Sequence, residues 1–354
     1  LETISKLTVQ TCRQSGLSRV YSELLQFEGD EMYFTEQPSL VGKTYLECQY
    51  HFATSTVVGI LSDDHSILNP PVDRVLAEGE QLIVIAEDDS TIELAEPVAP
   101  DKSKLGTVTP GPSAAERTLI VGSHSQLPLI LEELSEYSPA GSQVTVVSDK
   151  KLPKLGTYAN LAVDRVEGDT TERELLISLE PHNYDHILVL AYRDHLDIET
   201  ADSRTLITLL HLRELAAEYG QDFNIVSEML DDRNRRLAEV TKADDFIVSD
   251  NLISRMMAQI SENAELNEIY SGLFSADGAE IYLRPASWYV QLHTPVDFYT
   301  VLEGAARRNE TAIGYRERTP STSGDGNAKI RINPPKTEQR VYDEDDLIIV
   351  FAED

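Results

Sequence analysis

The sequence contains no long hydrophobic run, and no apolar stretch approaches the roughly 18–20 residues that a membrane-spanning helix needs. It has only two cysteines, Cys12 and Cys48, which lie far apart and show no metal-ligand spacing. A zinc site or a disulfide framework is therefore not expected. Two free thiols in a reducing compartment are the simplest interpretation.

Basic residues are scarce. The chain of 354 residues has 30 Lys and Arg against 61 Asp and Glu, a net charge of −31. Such a charge disfavours nucleic acid and anionic membrane surfaces as partners and attracts cations instead. A solvated acidic surface explains the same excess, so charge alone does not define a site. The length predicts two or three domains, and 41 % hydrophobic residues are enough for packed cores.

Motifs of common enzyme classes are also missing. The sequence has no G-x-S-x-G, no G-x-x-x-x-G-K-[ST] and no H-E-x-x-H, which mark a serine nucleophile, a phosphate-binding loop and a zinc protease. We therefore expect no catalytic function.

A long-period repeat is present instead. Residues 67–88 read ILNPPVDRVLAEGEQLIVIAED, and the chain ends on RINPPKTEQRVYDEDDLIIVFAED at 331–354. A shift of 249 residues also aligns 3–34 with 252–283 without a gap. Such a repeat marks a duplicated structural unit. Each copy predicts a helix at helical apolar spacing, a short helix, and a small α+β lobe in which the Asn-Pro-Pro segment forms a loop or an edge.

The region between the copies has a different pattern. Residues 91–117 are rich in Pro, Ser, Thr and Gly, which is typical of a linker. Strands with continuous apolar runs then alternate with helices, which predicts an α/β, Rossmann-like, doubly wound parallel sheet. We predict four segments: a lobe of a first unit at 1–90, the linker at 91–117, the Rossmann-like domain at 118–251, and a crossover helix with a second lobe at 252–354.

The ordered set of motifs resembles the soluble part of CASTOR and POLLUX ion channels and their bacterial relatives. It includes CRQSGLSRVYSELLQFEGDEMYF, ETADSRTLITLL, SEMLDDRNRRLAEV, SDNLISRMMAQISEN and IGYRE followed by INPP. The resemblance covers nearly the whole chain. It implies regulator-of-potassium-conductance-like domains that form a gating ring.

The resemblance carries further expectations. It implies a tetrameric channel for potassium or calcium, with the pore and the Rossmann half of the first unit upstream of Leu1. This segment would then be the ligand-sensing part on the cytoplasmic face of the membrane. We expect ligand occupancy to shift the lobes and bias the pore, which requires the ligand to bind one state more tightly than the other.

The first strand–helix turn, VGSHSQLP, is a degraded form of the dinucleotide-binding turn. The G-x-G-x-x-G pattern needs three glycines, but only Gly122 remains, and His124 and Leu127 occupy the other two positions. Asp149 ends the second strand, where an acidic residue would meet a ribose. We expect NAD binding to be weak or absent.

Acidic residues follow two neighbouring strands of the predicted sheet. Asp194, Asp197 and Asp202 come after HILVLAY, and Glu228 and Asp231 come after FNIVS. Ligands of such sheets bind outside the carboxyl ends of the strands, and calcium prefers several hard oxygen ligands. In metal-gated members of the superfamily that the chain resembles, the positions matching Asp202 and Glu228 are ligands. A third family carboxylate is Leu230 here. Helix capping explains the same aspartates.

Three functions thus remain open. The first is a cation-channel gating module in which a divalent cation such as calcium is the candidate ligand. The second is a nicotinamide-dependent oxidoreductase, against which the degraded glycine turn argues. The third is a structural assembly module whose ligand sites are inactive. Fold alone does not decide among them.

Overall fold

The computed structural model describes residues 2–14, 16–25, 29–63, 65–109, 111, 114–234, 245–247, 249–273, 278–317 and 329–353. Its helices are α1 (Glu2–Arg13), α2 (Leu17–Leu24), α3 (Tyr45–Gln49), α4 (Leu127–Tyr137), α5 (Arg173–Ser178), α6 (Ile198–Tyr219), α7 (Ser249–Glu262), α8 (Leu266–Leu273) and α9 (Phe298–Ala306). Among these described helices, none is long and apolar enough to cross a membrane. Part of the motif SEMLDDRNRRLAEV, residues 235–240, lies outside the described residues.

The strands, in chain order, are β1 (Glu31–Thr35), β2 (Thr56–Ser62), β3 (His65–Leu68), β4 (Gln81–Ala86), β5 (Arg117–Val121), β6 (Ser142–Ser148), β7 (Leu161–Glu167), β8 (His186–Val189), β9 (Ile225–Glu228), β10 (Asp245–Ile247), β11 (Glu280–Pro285), β12 (Thr311–Glu317), β13 (Lys329–Ile332) and β14 (Leu347–Ala352). They form one six-stranded sheet and two four-stranded sheets. The chain folds into two compact units, residues 1–18 with 112–254 and residues 19–111 with 255–354. The four segment boundaries predicted from the sequence stay a prediction.

The first unit contains the six-stranded sheet, in the order β10-β9-β8-β5-β6-β7 with every neighbouring pair parallel. The strands β5, β8 and β9 are buried almost throughout, as expected for a sheet covered on both faces. The winding direction reverses between β5 and β8. The predicted Rossmann-like, doubly wound fold is therefore confirmed.

The second unit contains the lobe of each copy of the repeat. We call residues 29–91 the first lobe and residues 278–353 the second lobe. Their antiparallel sheets have the same order, β1-β4-β2-β3 and β11-β14-β12-β13. Both sheets shift register at the same place, between Val57 and Gly59 and between Ala312 and Gly314. The two lobes therefore share the same strand order and the same irregularity in their second strand.

The turn before the last strand of each lobe is also duplicated. The Glu80 carboxylate accepts the Ala77 N–H at 2.7 Å and pairs with Arg74. In the second lobe the Asp346 carboxylate accepts the N–H of residue 343 at 3.0 Å and lies 3.8 Å from Arg340. The acidic stretch DEDD at 343–346 therefore forms a turn held by its own last carboxylate.

Residues 92–106, part of the segment with linker composition, run along both lobes, and we call them the strap. The Ala95 N–H donates to the His51 carbonyl at 2.6 Å on the first lobe. The Asp101 N–H donates to Thr300 Oγ1 at 3.1 Å, and the Gly106 N–H bonds to the Tyr289 carbonyl on the second lobe. Backbone hydrogen bonds therefore tie this low-propensity segment to both lobes.

Candidate functional site

The crevice of the six-stranded sheet opens where β5 and β8 end. Gly122 follows β5 with a φ of +97°, and an added Cβ there would lie 2.2 Å from the Leu190 carbonyl oxygen. Only glycine fits this position. Gly122, which the sequence analysis names as the remaining glycine of the turn, thus packs closely against the chain after β8.

Four side chains fill the mouth of the crevice. Glu228, at the end of β9, lies 3.1 Å from His124 Nε2 and accepts a hydrogen bond from Arg193 at 3.0 Å. The Arg193 guanidinium also bonds to Gln126 and lies 3.3 Å from His124 Nδ1. The side chains of His124 and Glu228 are 1 % and 5 % exposed, so this cluster is internal.

The contacts within the cluster determine the tautomer of His124 and lower the pKa of Glu228. His124 Nδ1 accepts the Gln126 N–H, which places the ring proton on Nε2, facing Glu228. Burial alone would raise the pKa of Glu228, but His124, Arg193 and the Ala191 N–H together hold that pKa below its ordinary value. Glu228 therefore stays ionised at neutral pH while both of its oxygens are engaged by the protein.

Asp149 also lies as the sequence predicted, just after β6, and it already has partners. Its carboxylate lies 2.9 Å from Lys150 and 3.3 Å from Arg204. Arg204 bonds in addition to Asp169 at 2.7 Å and packs over the Tyr192 ring. Both cations approach the same carboxylate oxygen, Asp149 Oδ2, whereas Oδ1 is buried without a hydrogen-bond partner among the described residues.

Asp202, on α6, is fully buried. Its carboxylate accepts the N–H groups of Leu230 and Asp231, at 2.9 and 3.1 Å, and the Asn234 side-chain amide at 2.8 Å. Asp202 thereby caps the chain that leaves β9. Asp202 thus acts as a capping residue does, but the N–H groups that it accepts belong to the segment after β9 and not to its own helix.

The remaining predicted ligands, Asp194, Asp197 and Asp231, also accept hydrogen bonds from backbone N–H groups. Asp197 is the N-cap of α6 and accepts the Thr200 N–H at 3.1 Å. Asp194 accepts the Ser125 N–H, and Asp231 accepts the Arg233 N–H at 2.9 Å. These bonds lower the pKa of all three carboxyls, for Asp194 against an opposing effect of partial burial. Asp197 and Asp231 are thus engaged by near neighbours in the chain, whereas Asp194 is engaged by Ser125 of the turn after β5.

Only one trio of potential metal ligands converges within the described ranges, and the sequence did not predict it. His293, with a φ of +58°, lies 3.1 Å from Asp343 and 2.9 Å from Glu344. All three side chains are exposed. Fifty residues separate the histidine from the acidic turn, so spacing gave no signal. The five predicted calcium ligands form no such trio in the described part of the chain.

The two lobes meet at their Asn-Pro-Pro corners through reciprocal hydrogen bonds. Thr56 of the first lobe donates to Asn333 Oδ1 of the second at 2.8 Å, and Asn333 Nδ2 donates to the Thr54 carbonyl at 2.8 Å. Conversely, Thr311 donates to Asn69 Oδ1 at 2.8 Å, and Asn69 Nδ2 donates to the Asn309 carbonyl at 2.9 Å. Both asparagines have a φ of +47°.

A cleft lies beside each corner. The cleft at Asn333 has a volume of about 680 Å³ and the cleft at Leu68 about 160 Å³. Glu268 of α8 lines the small cleft, where it accepts the Ser66 N–H at 2.9 Å and approaches His65. The large cleft is lined by side chains of mixed charge, namely Glu23, Asp30, Glu87, Glu93 and Arg331.

Comparisons with known proteins agree with the fold. The family model described as Castor and Pollux, part of voltage-gated ion channel, matches residues 1–102. The ion channel CASTOR of Lotus japonicus is 29 % identical over 99 % of this chain, and a probable ion channel POLLUX of Arabidopsis thaliana is 27 % identical over 99 %. The chain spans about half the length of these curated relatives, 46 % and 47 %. The resemblance inferred from the sequence is therefore confirmed.

Solved structures add to the comparison of the fold. The structure of the human SLO3 gating ring overlaps with a TM-score of 0.67 at 11 % identity, over 98 % of this chain and 75 % of that chain. The GsuK channel bound to NAD overlaps with a TM-score of only 0.35 at 16 % identity, over 98 % of this chain and 56 % of that chain. The second overlap is too weak to bear on a cofactor here. The first overlap shows that the chain shares the fold of that gating ring.

Proposed function

We propose that this chain is the ligand-sensing gating-ring portion of a cation channel that conducts potassium or calcium. The observation that carries the proposal is the alignment of proteins named ion channels with 99 % of the chain. The absence of a membrane-spanning helix among the described residues fits a part of the channel outside the pore. The two lobes pack against each other through hydrogen bonds at their Asn-Pro-Pro corners, which offers an interface that a ligand can bias.

The gating role is tested with the full-length protein that carries this segment, reconstituted in planar bilayers. We expect the open probability to change when the solution on the gating-ring side is varied in calcium. A matched channel that ends before the ring provides the control. Open probabilities that stay equal for both proteins under all calcium concentrations would contradict the proposal and favour an assembly module.

Calcium is the ligand we propose, with Asp202, Glu228, Asp194, Asp197 and Asp231 as its predicted ligands. In the structure these carboxylates hold N–H groups or cations of the chain, so calcium binding would have to displace those bonds. Calorimetric titration of chelator-stripped protein, with magnesium as the control ion, measures this directly. We expect saturable, calcium-selective binding that Asp194→Asn with Asp231→Asn weakens at least tenfold, a loss of about 1.4 kcal/mol.

A matched control is the pair Asp88→Asn with Asp101→Asn. These aspartates also accept local N–H groups, but they lie in the other unit. Equal loss of affinity in both pairs would mean that calcium responds only to the net charge. Heats that are equal for calcium and magnesium and vanish in salt would rule out the proposed site.

NAD is not expected to bind this crevice. Arg193, Gln126 and His124 fill its mouth, and the Asp149 carboxylate is paired with Lys150 and Arg204. Saturable micromolar binding in an NAD titration would contradict this expectation and reopen the oxidoreductase alternative. We further propose a homotetrameric ring on the cytoplasmic face of the membrane, which sedimentation equilibrium of the full-length protein in detergent would test.

A further inference from the structure

The corner at Asn333 carries an extra polar chain that its counterpart lacks. Asn333 Oδ1 accepts a hydrogen bond from Lys336 Nζ at 3.0 Å, and Asn333 Nδ2 donates to Asp30 at 2.7 Å. Asp30 belongs to the first lobe, whereas Asn333 and Lys336 belong to the second. A lysine and a carboxylate are thus linked across the lobe interface through one amide.

The repeat identifies what stands at the same places on the other side. The alignment of the two Asn-Pro-Pro segments pairs Lys336 with Val72, and the shift of 249 residues pairs Asp30 with Ala279. The side-chain amide of Asn69, like that of Asn333, bonds to a threonine hydroxyl and a backbone carbonyl of the opposite lobe. The residues that match Lys336 and Asp30 at this corner, Val72 and Ala279, carry no charge. The chain therefore contains its own uncharged version of the same corner.

Lys336 is fully buried. Its Nζ donates to two oxygens, Asn333 Oδ1 and the Pro334 carbonyl, both at 3.0 Å. An uncharged amine has two N–H donors and an ammonium has three. Among the described residues Lys336 forms no ion pair, so the two acceptors match the uncharged amine.

The surroundings of Lys336 shift its pKa in opposite directions. Burial lowers the pKa of Lys336 to about 7, against the Asp30 carboxylate, which favours the ammonium. The Phe298 ring of α9 lies 5.5 Å from Nζ and also favours a cation. Asp30 in turn has a pKa raised by burial, and Glu87 and Arg331 are the other charged groups that act on it.

We propose that Lys336, Asn333 and Asp30 form a proton-sensitive latch on one side of the lobe interface. The lobes are held closed there while the Lys336 amine is uncharged. Proton uptake at Lys336 favours local opening, because an opened corner hydrates the ammonium and a closed one does not. The corner at Asn69 has no such response. This inference concerns the lobes themselves and does not depend on the proposed channel function.

The direction of the pH effect follows from linkage. The closed corner has a Lys336 pKa near 7, below the value of about 10.4 for a hydrated lysine. The open form therefore binds the proton more tightly, and closure becomes more favourable as the pH rises from about 7 towards 10. Below about pH 7 both forms carry the proton, and the opening equilibrium no longer changes with pH.

Hydrogen exchange of the whole chain tests the latch at two equivalent amides. The Asn333 N–H donates to the Ile313 carbonyl at 2.8 Å, and the Asn69 N–H donates to the Val58 carbonyl at 2.9 Å. After correction for the intrinsic effect of pH, we expect the Asn333 amide to exchange roughly thirtyfold faster at pH 6 than at pH 8.5. The Asn69 amide should show no such change.

The protein's own counterpart supplies the decisive variant. Asp30→Ala with Lys336→Val copies Ala279 and Val72, and we expect it to abolish the pH response at the Asn333 amide only. Lys151→Val, which removes an exposed lysine of the other unit, should leave the response intact. Lys336→Met serves the same purpose if the double variant does not fold.

A second readout needs no variant. Carbon-13 NMR of the Lys336 side chain should titrate several units below the other lysines, and Asp30→Asn should lower that midpoint further. A Lys336 midpoint near 10 would overturn the latch, and so would equal pH responses of the two asparagine amides. Neither result would affect the bilayer test, so the two proposals fail independently.

Discussion

Asn69 and Asn333 occupy the same corner in two lobes of one chain and differ in their surroundings. Both adopt a φ of +47°, and both bond to a threonine hydroxyl and a backbone carbonyl of the opposite lobe. Asn333 makes two further bonds, to Asp30 and Lys336. The two copies therefore share the frame of the interface, and they differ at two positions that carry charge on one side only.

The largest expected effect comes from removing the two amides. Asn69→Ala loses two side-chain hydrogen bonds, and Asn333→Ala loses four, of which three cross the lobes and one goes to Lys336. At about 1 kcal/mol per bond, with about 1 kcal/mol for a left-handed alanine, the free energy of unfolding should fall by about 3 and about 5 kcal/mol. Chemical denaturation measures both values.

The matched controls are Asn69→Gly and Asn333→Gly, which remove the bonds without the backbone cost. Each glycine variant should be less destabilised than its alanine partner. Equal losses at the two positions would show that the additional bonds of Asn333 contribute nothing, and the comparison between the corners would then break down.

A smaller effect is expected at the two equivalent turns. Glu80→Gln and Asp346→Asn each weaken a charged cap of a buried turn, and each should cost about 1.5–3 kcal/mol. The pKa of Glu80 is lowered, by backbone and side-chain hydrogen bonds and Arg74 that outweigh the larger single effect of burial. Its stabilisation is therefore present above the unfolded pKa and is lost as the pH falls through the folded value.

The free energy of unfolding, measured as a function of pH, tests whether the charge of Glu80 stabilises its turn. Wild-type protein should lose stability below about pH 4.5, the ordinary pKa of a glutamate. Glu80→Gln should lose less over the same range. An unchanged acid profile in the variant would show that the turn does not depend on the charge of residue 80.

The smallest effect should come from Glu268, which lines the small cleft. Glu268→Gln removes the charge that holds the Ser66 N–H, and the carboxylate is 44 % exposed, so we expect a cost below about 1 kcal/mol. Faster exchange of the Ser66 amide is the measurement. Lys329→Gln, on the equivalent edge strand, is the control. If the Ser66 amide stayed as protected as before, Glu268 would not close this cleft.

The fold could be predicted because its signals are periodic. Continuous apolar strands alternating with helices gave the doubly wound sheet, and the gapless shift of 249 residues gave the duplicated lobes. The duplication also explains why the strands have the same order in both lobes. Asn-Pro-Pro was correctly placed at a loop or an edge, because proline cannot donate to a sheet.

The site was less predictable, since partners at long range decide what a polar residue does. Glu228 follows a strand as the pattern requires, but nothing nearby in sequence reveals Arg193 and His124 as its partners. Lys336 after two prolines is typical of an exposed loop lysine, and only the packing of the lobes buries it. The composition of residues 91–117 predicted a linker. The structure shows that the strap is hydrogen-bonded to both lobes, which composition could not reveal.

The cross-lobe corners also bear on biosynthesis. Thr56 and Asn333 are 277 residues apart in sequence. A ribosome that adds about 5–20 residues per second needs on the order of 15–55 s to reach Asn333 after Thr56. During that interval the hydroxyls of Tyr45 and Thr56 lack Thr311 and Asn333, their partners in the second lobe. Tyr45 and Phe52 already pack in a core of first-lobe residues, so the first lobe can form its core before the corners close.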